Sequence, residues 1–260
     1  MAFDLSNIKR GGEERAPLFV LHGAPGAGKT TFAAQADRPI FIRCEDGLGL
    51  NDVDTFPIAE SVDDVLAALA SLYGEHDYKT VVIDTMSALE PMIWAKVAQD
   101  HGGKSIEDIG FGKGYILAMD YWQDIVKACK GLALKGITPV LIAHSEIVKF
   151  DPPESESYDR YQIKLHKRAF AYLYEQADII GFAQNAIHVK KENVKDTKGK
   201  AISKRKRELI VSESPAIIAK NRYAMPASMD LEWEQFAAHV PFLAKNLTLS
   251  NLNFEATNEE

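Results

Sequence analysis

The chain has little cysteine and no long apolar run, and each shortage excludes a class of protein. Two of its 260 residues are cysteines, Cys44 and Cys129, and no CxxC pair exists, which excludes a disulfide framework and is typical of ordinary thiols in a reducing cytosol. No apolar run reaches the roughly 18 residues that span a bilayer, and the polar amino-terminal segment lacks the apolar stretch of a signal peptide. We therefore expect a cytoplasmic protein with no membrane partner.

Positive charge is scarce over the whole chain but concentrated in one stretch. The net charge is −7, with 46% hydrophobic and 26% charged residues, which is typical of globular proteins. Two acidic residues between positions 190 and 207 are outnumbered by nine basic ones: Lys190, Lys191, Lys195, Lys198, Lys200, Lys204, Arg205, Lys206 and Arg207. An acidic protein with a nucleic-acid-binding face shows such segregation. A solvated hairpin whose lysines prevent edge pairing accounts for the same residues about equally well.

Short apolar runs alternate with amphipathic stretches along the chain. Strands are predicted at 17–22, 39–44, 80–83, 138–143 and 178–182, and helices at 30–36, 61–73, 88–101, 115–135, 167–176 and 231–247. This alternation predicts an α/β fold with a mostly parallel, twisted sheet flanked by helices. We expect a lead-in at 1–16, a single domain over 17–250 and a disordered acidic tail at 251–260.

Three further segments are defined by glycine, proline and polar residues. The glycine-rich segment 101–114 and the polar segment 146–164 are both predicted to be long loops. The stretches 186–194 and 202–212, separated by a turn near 197–200, predict a carboxyl-terminal β-hairpin.

A phosphate-binding motif follows the first predicted strand. It fits GxxxxGK[ST] with Gly23, Ala24, Pro25, Gly26, Ala27, Gly28, Lys29 and Thr30, and Thr31 continues into the helix. Glycines let backbone N–H groups wrap phosphate oxygens, the start of the helix adds its dipole, and Lys29 supplies a positive charge. The Thr30 hydroxyl is a magnesium ligand in such loops. We therefore predict ATP and Mg²⁺ as ligands, bound by a P-loop nucleoside-triphosphatase.

Two acids and a histidine follow later strands. Asp84 ends the apolar run at 81–83 and is predicted to hold the magnesium ion, although it could instead cap the next helix. Glu45 follows the second strand, where it is either a base for the attacking water or a surface acid. His144 follows the fourth strand, where it either senses the γ-phosphate or caps a turn.

The order of these elements resembles the RecA-like ATPases. The P-loop, Glu45, Asp84 and His144 occur in the order of the RecA core, and 219–223 (AKNRY) resembles the KNRF signature of the RadA branch. The chain looks most like single-domain RecA-like proteins of phage recombination modules, including single-strand annealing proteins. His144 departs from the glutamine common in RecA, and the large extra domains of RecA and RadA are absent from this sequence.

The resemblance implies a function and partners. Glu45 would be the catalytic base, His144 the sensor, and Lys220 and Arg222 would complete a neighbour's active site. The expected partners are single-stranded DNA, further copies of the chain in a ring or filament, and a single-stranded-DNA-binding protein. The bacterial host cytoplasm would be its location if a phage encodes it. Two alternatives remain open, a small-molecule P-loop kinase and a nucleotide-gated assembly protein with negligible turnover.

Overall fold

A computed structural model describes residues 15–154, 156–190 and 200–247. The predicted tail at 251–260, most of the lead-in and nearly all of the predicted turn at 197–200 lie outside these residues. The last two lead-in residues belong to the fold, because Ala16 is fully buried and its N–H donates to the carbonyl of Ala133. Among the described residues, no helix is both long enough and apolar enough to cross a membrane.

One mixed sheet organises the part of the chain that is described. Its main path runs β10-β8-β7-β1-β5-β4-β2-β3, with β6 paired to β5 and β9 paired to β7. The strands are β1 (Phe19–Gly23), β2 (Pro39–Arg43), β3 (Asp54–Thr55), β4 (Thr80–Asp84), β5 (Thr138–Phe150), β6 (Tyr158–Ile163), β7 (Ile179–Lys190), β8 (Lys200–Ile210), β9 (Lys220–Asn221) and β10 (Ser228–Asp230). Neighbouring strands from β7 to β3 along this path are parallel, which confirms the predicted fold class.

Helices cover both faces of the sheet. They are α1 (Lys29–Ala34), α2 (Val62–Ser71), α3 (Met86–Asp100), α4 (Lys113–Leu134), α5 (Lys167–Gln176) and α6 (Trp233–Ala238). Residues of α2 to α5 share one apolar cluster, and residues of α1 and α6 share a second. Strand β1 contributes residues to both clusters, because Val20 belongs to the first cluster while Phe19 and Leu21 belong to the second. This two-sided burial explains why the central strands are continuous apolar runs.

The predicted helix starts are confirmed with small shifts. Ser61 caps α2, its side chain accepting the N–H of Asp64 while that aspartate returns a capping-box contact. Helix α3 begins at Met86, and the Thr85 hydroxyl accepts the N–H of Ala88. The predicted helix 231–247 is interrupted: α6 ends at Ala238, and a separate helical segment covers 241–247 after a turn. A proline at position 241 is placed where it can start that segment.

The prediction of a long loop at 146–164 is wrong. Strand β5 continues to Phe150 and pairs antiparallel with β6, with Glu146 opposite Gln162 and Phe150 opposite Tyr158. The segment is polar because it is a projecting hairpin with water on much of its surface, and polarity alone does not exclude strands there. The predicted loop at 101–114 is also partly ordered, since it contains a 3₁₀ helix at Ile106–Ile109.

The carboxyl-terminal hairpin is confirmed and is longer than predicted. Strand β7 runs without interruption from the buried centre of the sheet into the hairpin, and β8 returns antiparallel beside it. The register shifts by a bulge between Asn185 and Ile187. The short strand β10 then covers the edge of β8.

Candidate functional site

Four parallel strands deliver polar residues to one edge of the sheet. Gly23 at the end of β1 lies opposite His144, and Asp84 at the end of β4 lies opposite Ile142. Arg43 at the end of β2 lies opposite Asp84, and the N–H of Cys44 donates to the Asp84 carbonyl over 2.7 Å. The carboxyl ends of these strands therefore meet, as expected for the ligand-binding edge of an open α/β sheet.

The glycine-rich segment between β1 and α1 is held close to the sheet. A Cβ at Gly23 would lie 2.4 Å from the carbonyl oxygen of Ala183, so no larger residue fits without movement. Gly26 and Gly28 have φ angles of 77° and 97°, a left-handed conformation that glycine adopts without strain. The loop surface is exposed at Ala24, Pro25, Gly26 and Thr31, whereas Ala27 is buried.

Lys29 lies beneath this loop rather than in solvent. Its side chain is buried, and Nζ donates to the carbonyl oxygens of Gly23 and Ala24, each over 3.0 Å. These contacts place the ammonium group within the concave side of the loop, where a phosphate chain would be wrapped by backbone N–H groups.

Thr30 and Asp84 lie within direct contact of each other. The Thr30 hydroxyl donates to Oδ2 of Asp84 over 2.8 Å, and Asp84 is buried. Helix α3 is capped by Thr85, so its N-cap is not Asp84, the alternative left open by the sequence. Asp84 therefore faces Thr30, which is the pairing that the sequence predicts for a magnesium site.

Glu45 and His144 also meet, although β2 and β5 are separated by β4. Nε2 of His144 lies 3.2 Å from Oε1 of Glu45, and both side chains are partly exposed. The other ring nitrogen of His144, Nδ1, is buried without a hydrogen-bond partner among the described residues. With Nε2–H donating to the carboxylate, the imidazole restricts the orientation of Glu45. The structure thus brings together the predicted base and the predicted sensor.

Charges at this edge influence one another. Burial lowers the pKa of Lys29, and the carboxylates of Asp84 and Glu45 oppose that shift. Burial raises the pKa of Asp84, and Glu45 raises it further, whereas the Thr30 hydroxyl, Lys29 and His144 act in the opposite direction. Two carboxylates thus share one partly desolvated space, which favours a bound cation.

These side chains line a cavity of about 500 Å³. Its wall consists of Pro25, Gly26, Gly28, Lys29, Thr30, Thr31, Glu45, Gly47, Leu48, Gly49, Leu50, Asn51, Asp84, Thr85, His144 and Arg207. The described residues contain no cluster of three His, Cys, Asp or Glu side chains for a metal ion. The Thr30 hydroxyl and the Asp84 carboxylate suit Mg²⁺, which takes few protein ligands and fills its shell with water and phosphate oxygens.

Arg207 is a further residue of this site, although in the sequence it is only the last member of the basic stretch. Arg207 lies on β8, and a Cβ at Gly28 would be 2.8 Å from Cδ and from Nη1 of its side chain. It lines the 500 Å³ cavity and also a neighbouring cavity of about 630 Å³ beside α1. The contact depends on how β8 pairs with β7, which the local sequence does not indicate.

Lys220 and Arg222 lie at the side of the sheet where the parallel strands begin, opposite the phosphate-binding loop. We call this side the amino edge and the side with the loop the carboxyl edge. Strand β9 pairs with the beginning of β7, where Lys220 is opposite Ile180. Lys220 Nζ donates to the carbonyl oxygens of Tyr174 and Glu175, and Nη1 of Arg222 donates to Oδ1 of Asp178 over 2.9 Å. Neither cation reaches the phosphate-binding loop of its own chain, so a catalytic role requires a neighbouring copy.

Comparisons with known proteins give one family and one similar structure. Residues 15–223 match the sequence model of the AAA domain. None of the curated proteins matches the chain. Among solved structures, the crystal structure of the RadB recombinase is similar with a TM-score of 0.45 and 12% identity, covering 83% of this chain and 87% of that chain. The family match covers most of the sequence: the chain belongs to the AAA domain family.

Proposed function

We propose that this AAA-domain chain binds ATP together with Mg²⁺ and hydrolyses it to ADP and phosphate. The observation that carries the proposal is the convergence of five side chains on one cavity. These are Lys29, Thr30, Glu45, Asp84 and His144. Lys29 and Thr30 follow β1, Glu45 follows β2, Asp84 ends β4 and His144 lies within β5. Four different strands therefore bring them together, so their meeting is a property of the fold.

The chain's own residues supply groups for binding and for proton transfer. Backbone N–H groups of the loop and Lys29 bind the β- and γ-phosphates, and Thr30 with Asp84 holds the magnesium ion. When bound, the ion offsets negative charge on the phosphate oxygens. Glu45 accepts a proton from the attacking water, while His144 keeps its carboxylate in place at 3.2 Å.

We further propose that the ATPase acts on single-stranded DNA. The β5–β6 hairpin supports this, since it exposes Ile147, Phe150 and Tyr161 beside the exposed Lys149. Arg160 on the same hairpin is mostly enclosed and forms an ion pair with Glu213. The guanidinium of Arg160 lies 5.2 Å from the ring centre of Phe150. Exposed aromatic rings beside cations bind single strands by stacking and by phosphate contact. His144 belongs to the same strand as this hairpin, which offers a direct path from the phosphates to the DNA.

We also propose that copies of the chain assemble into a ring or a filament. Their role would be in phage recombination or single-strand annealing. Arg222 is the residue that supports the assembly, because half of its side chain is exposed despite the contact with Asp178. Lys220 is more enclosed by its own chain. A single-stranded-DNA-binding protein is the expected protein partner, and the site of action is the cytoplasm.

The first experiment is steady-state ATP hydrolysis with and without single-stranded DNA, at about 50 and about 200 mM salt. We expect magnesium-dependent phosphate release, raised by DNA at low salt and less at high salt, because phosphate contacts weaken as salt rises. Hydrolysis that DNA leaves unchanged at low salt, with no DNA binding, would contradict the nucleic-acid role. Retention of bound ATP without release of phosphate would instead favour the assembly protein.

One observation favours the kinase as a second candidate. The position of Arg207 over the phosphate-binding loop is where a kinase lid would place a cation. Phosphate release by the purified protein without any acceptor distinguishes the two, because a kinase transfers the phosphoryl group to a second substrate. Release that requires an added small-molecule acceptor would assign the chain to the kinases.

A further inference from the structure

The side chain of Arg207 is positioned by the backbone on both sides of it. In the β7–β8 ladder Arg207 lies opposite Asn185, immediately before the bulge in β7. Its carbonyl oxygen accepts the N–H of Leu231 over 3.1 Å. Strand β10 pairs with the residues that follow, with Asp230 opposite Glu208. Arg207 is therefore held by strands on two sides while its side chain extends towards α1.

The guanidinium is directed at the phosphate-binding loop without being neutralised there. It approaches Gly28, lines the cavity that contains Lys29 and Thr30, and remains exposed. Among the described residues it has no hydrogen-bond or ion-pair partner. The adjacent Lys206 differs, since its Nζ lies 2.8 Å from Oδ1 of Asp230.

We propose that Arg207 contacts the phosphates of a nucleotide bound to the loop of its own chain. This inference rests on the proposed function and names a further cation of the same site. A guanidinium presents several donors in one plane and bonds to two phosphate oxygens at once. Among the described residues the Arg207 guanidinium forms no ion pair, although Glu45 and Asp84 line the same cavity, so no existing ion pair has to break before a phosphate binds.

A phosphate contact by Arg207 would also affect the β7–β8 hairpin. Arg207 is the last basic residue of the stretch that starts at Lys190, so a phosphate contact attaches β8 to the nucleotide. Nucleotide binding would then restrict the base of this hairpin. It also gives the site a second cation without a contribution from a neighbouring copy.

ATP affinity of the full chain tests the proposal, with three variants measured beside wild type. Arg207→Gln removes the charge, Arg207→Lys keeps it, and Arg168→Gln is the matched control because Arg168 is an exposed arginine on α5. We expect Arg207→Gln to bind ATP about 10- to 100-fold more weakly, Arg207→Lys to recover part of the loss, and the control to match wild type. Equal affinity of Arg207→Gln and wild type overturns the proposal.

A mixing experiment tests whether the contact lies within one chain. Arg207→Gln is combined with Lys29→Ala, which has an intact Arg207 but an impaired loop. If Arg207 serves its own loop, the mixture hydrolyses ATP at the sum of the two separate rates. A rate well above that sum would show that a neighbour supplies the arginine and would overturn the assignment.

The outcome is separable from that of the proposed function. Wild-type chain that fails to bind ATP at all contradicts the proposed function and removes the basis of this inference. Wild-type binding that Arg207→Gln leaves unchanged contradicts this inference alone.

Discussion

The two edges of the sheet use similar residues in opposite ways. At the carboxyl edge, Lys29, Glu45 and Asp84 border a cavity of about 500 Å³. At the amino edge, Arg15 and Arg222 contact the carboxylate of Asp178. Lys220 donates to two carbonyl oxygens at the end of α5. Charged residues that converge on a space are arranged to bind something, whereas charged residues that converge on one another are arranged to hold the fold.

Asp178 is the centre of the amino edge. Its carboxylate is 4% exposed and accepts the N–H of Leu18, and it lies within 3 Å of both Arg15 and Arg222. Burial alone would raise the pKa of Asp178, but the Leu18 N–H and the two guanidinium groups overcome this and lower it. The cluster joins the starts of β1 and β7 to the segment around β9.

The largest expected effect comes from Lys29→Ala at the carboxyl edge. The variant loses the ammonium that the loop encloses, so we expect ATP hydrolysis to fall by about 1,000-fold or more. The variant's free energy of unfolding should change little, because the described hydrogen bonds of Lys29 go to the carbonyls of Gly23 and Ala24, and burial of its charge is itself unfavourable. Phosphate release measures the expected loss of hydrolysis, and chemical denaturation measures the free energy of unfolding. Hydrolysis by Lys29→Ala at the wild-type rate would contradict the assignment of the carboxyl edge as the binding site.

Asp84→Asn is expected to be next in size. The change removes a carboxylate beside Thr30 while keeping its shape, so turnover should fall by about 100-fold and the magnesium requirement should rise. Because burial raises the pKa of Asp84, loss of the charge should not destabilise the fold. Titrations of Mg²⁺ against hydrolysis test this, with Asp46→Asn, an exposed acid beyond β2, as the control.

At the amino edge the expected effect is on stability. Asp178→Asn leaves two arginines without their shared carboxylate, and we expect a loss of about 2 to 4 kcal/mol in the free energy of unfolding. The pKa of Asp178 is lower in the folded chain than in the unfolded chain, where it is about 4. The ionised carboxylate therefore stabilises the fold fully above about pH 4, and this stabilisation is lost as the pH falls through the pKa of the folded state. The difference between variant and wild type should therefore shrink in acid, and a constant difference from pH 7 to pH 3 would contradict it.

Arg222→Ala is expected to have the smallest effect on stability, below about 1 kcal/mol. Arg222 is 51% exposed, and Arg15 still neutralises Asp178 in its absence. Under the proposed oligomer the same variant should hydrolyse ATP at least about 10-fold more slowly per subunit while binding it normally. Unchanged hydrolysis would restrict Arg222 to the amino-edge cluster and contradict its role in a neighbour's site.

The carboxyl edge could be predicted because its signals are local. The P-loop motif is eight consecutive residues, and Asp84, Glu45 and His144 each follow a recognisable apolar run. Parallel strands place such residues at one edge whatever the order of the strands. The sequence did not indicate that Glu45 and His144 touch, since that contact crosses β4.

Features that depend on distant pairing could not be predicted in the same way. The β5–β6 hairpin has mixed polar and apolar residues, so its composition favoured a loop until the strands were seen to pair. Arg207 reaches Gly28 only through the antiparallel return of β8. Lys220 and Arg222 lie at the amino edge because β9 pairs with the start of β7, and two paired residues leave no periodic pattern.

The most direct test of the account compares Glu45→Gln with wild type in ATP binding and in a single turnover of bound ATP. The glutamine keeps the size of the side chain and cannot accept the proton of the attacking water. We predict that Glu45→Gln binds ATP with affinity within a few fold of wild type but hydrolyses it about 100-fold or more slowly. Hydrolysis of bound ATP at the wild-type rate would contradict the claim that the carboxyl edge is a catalytic site with Glu45 as its base.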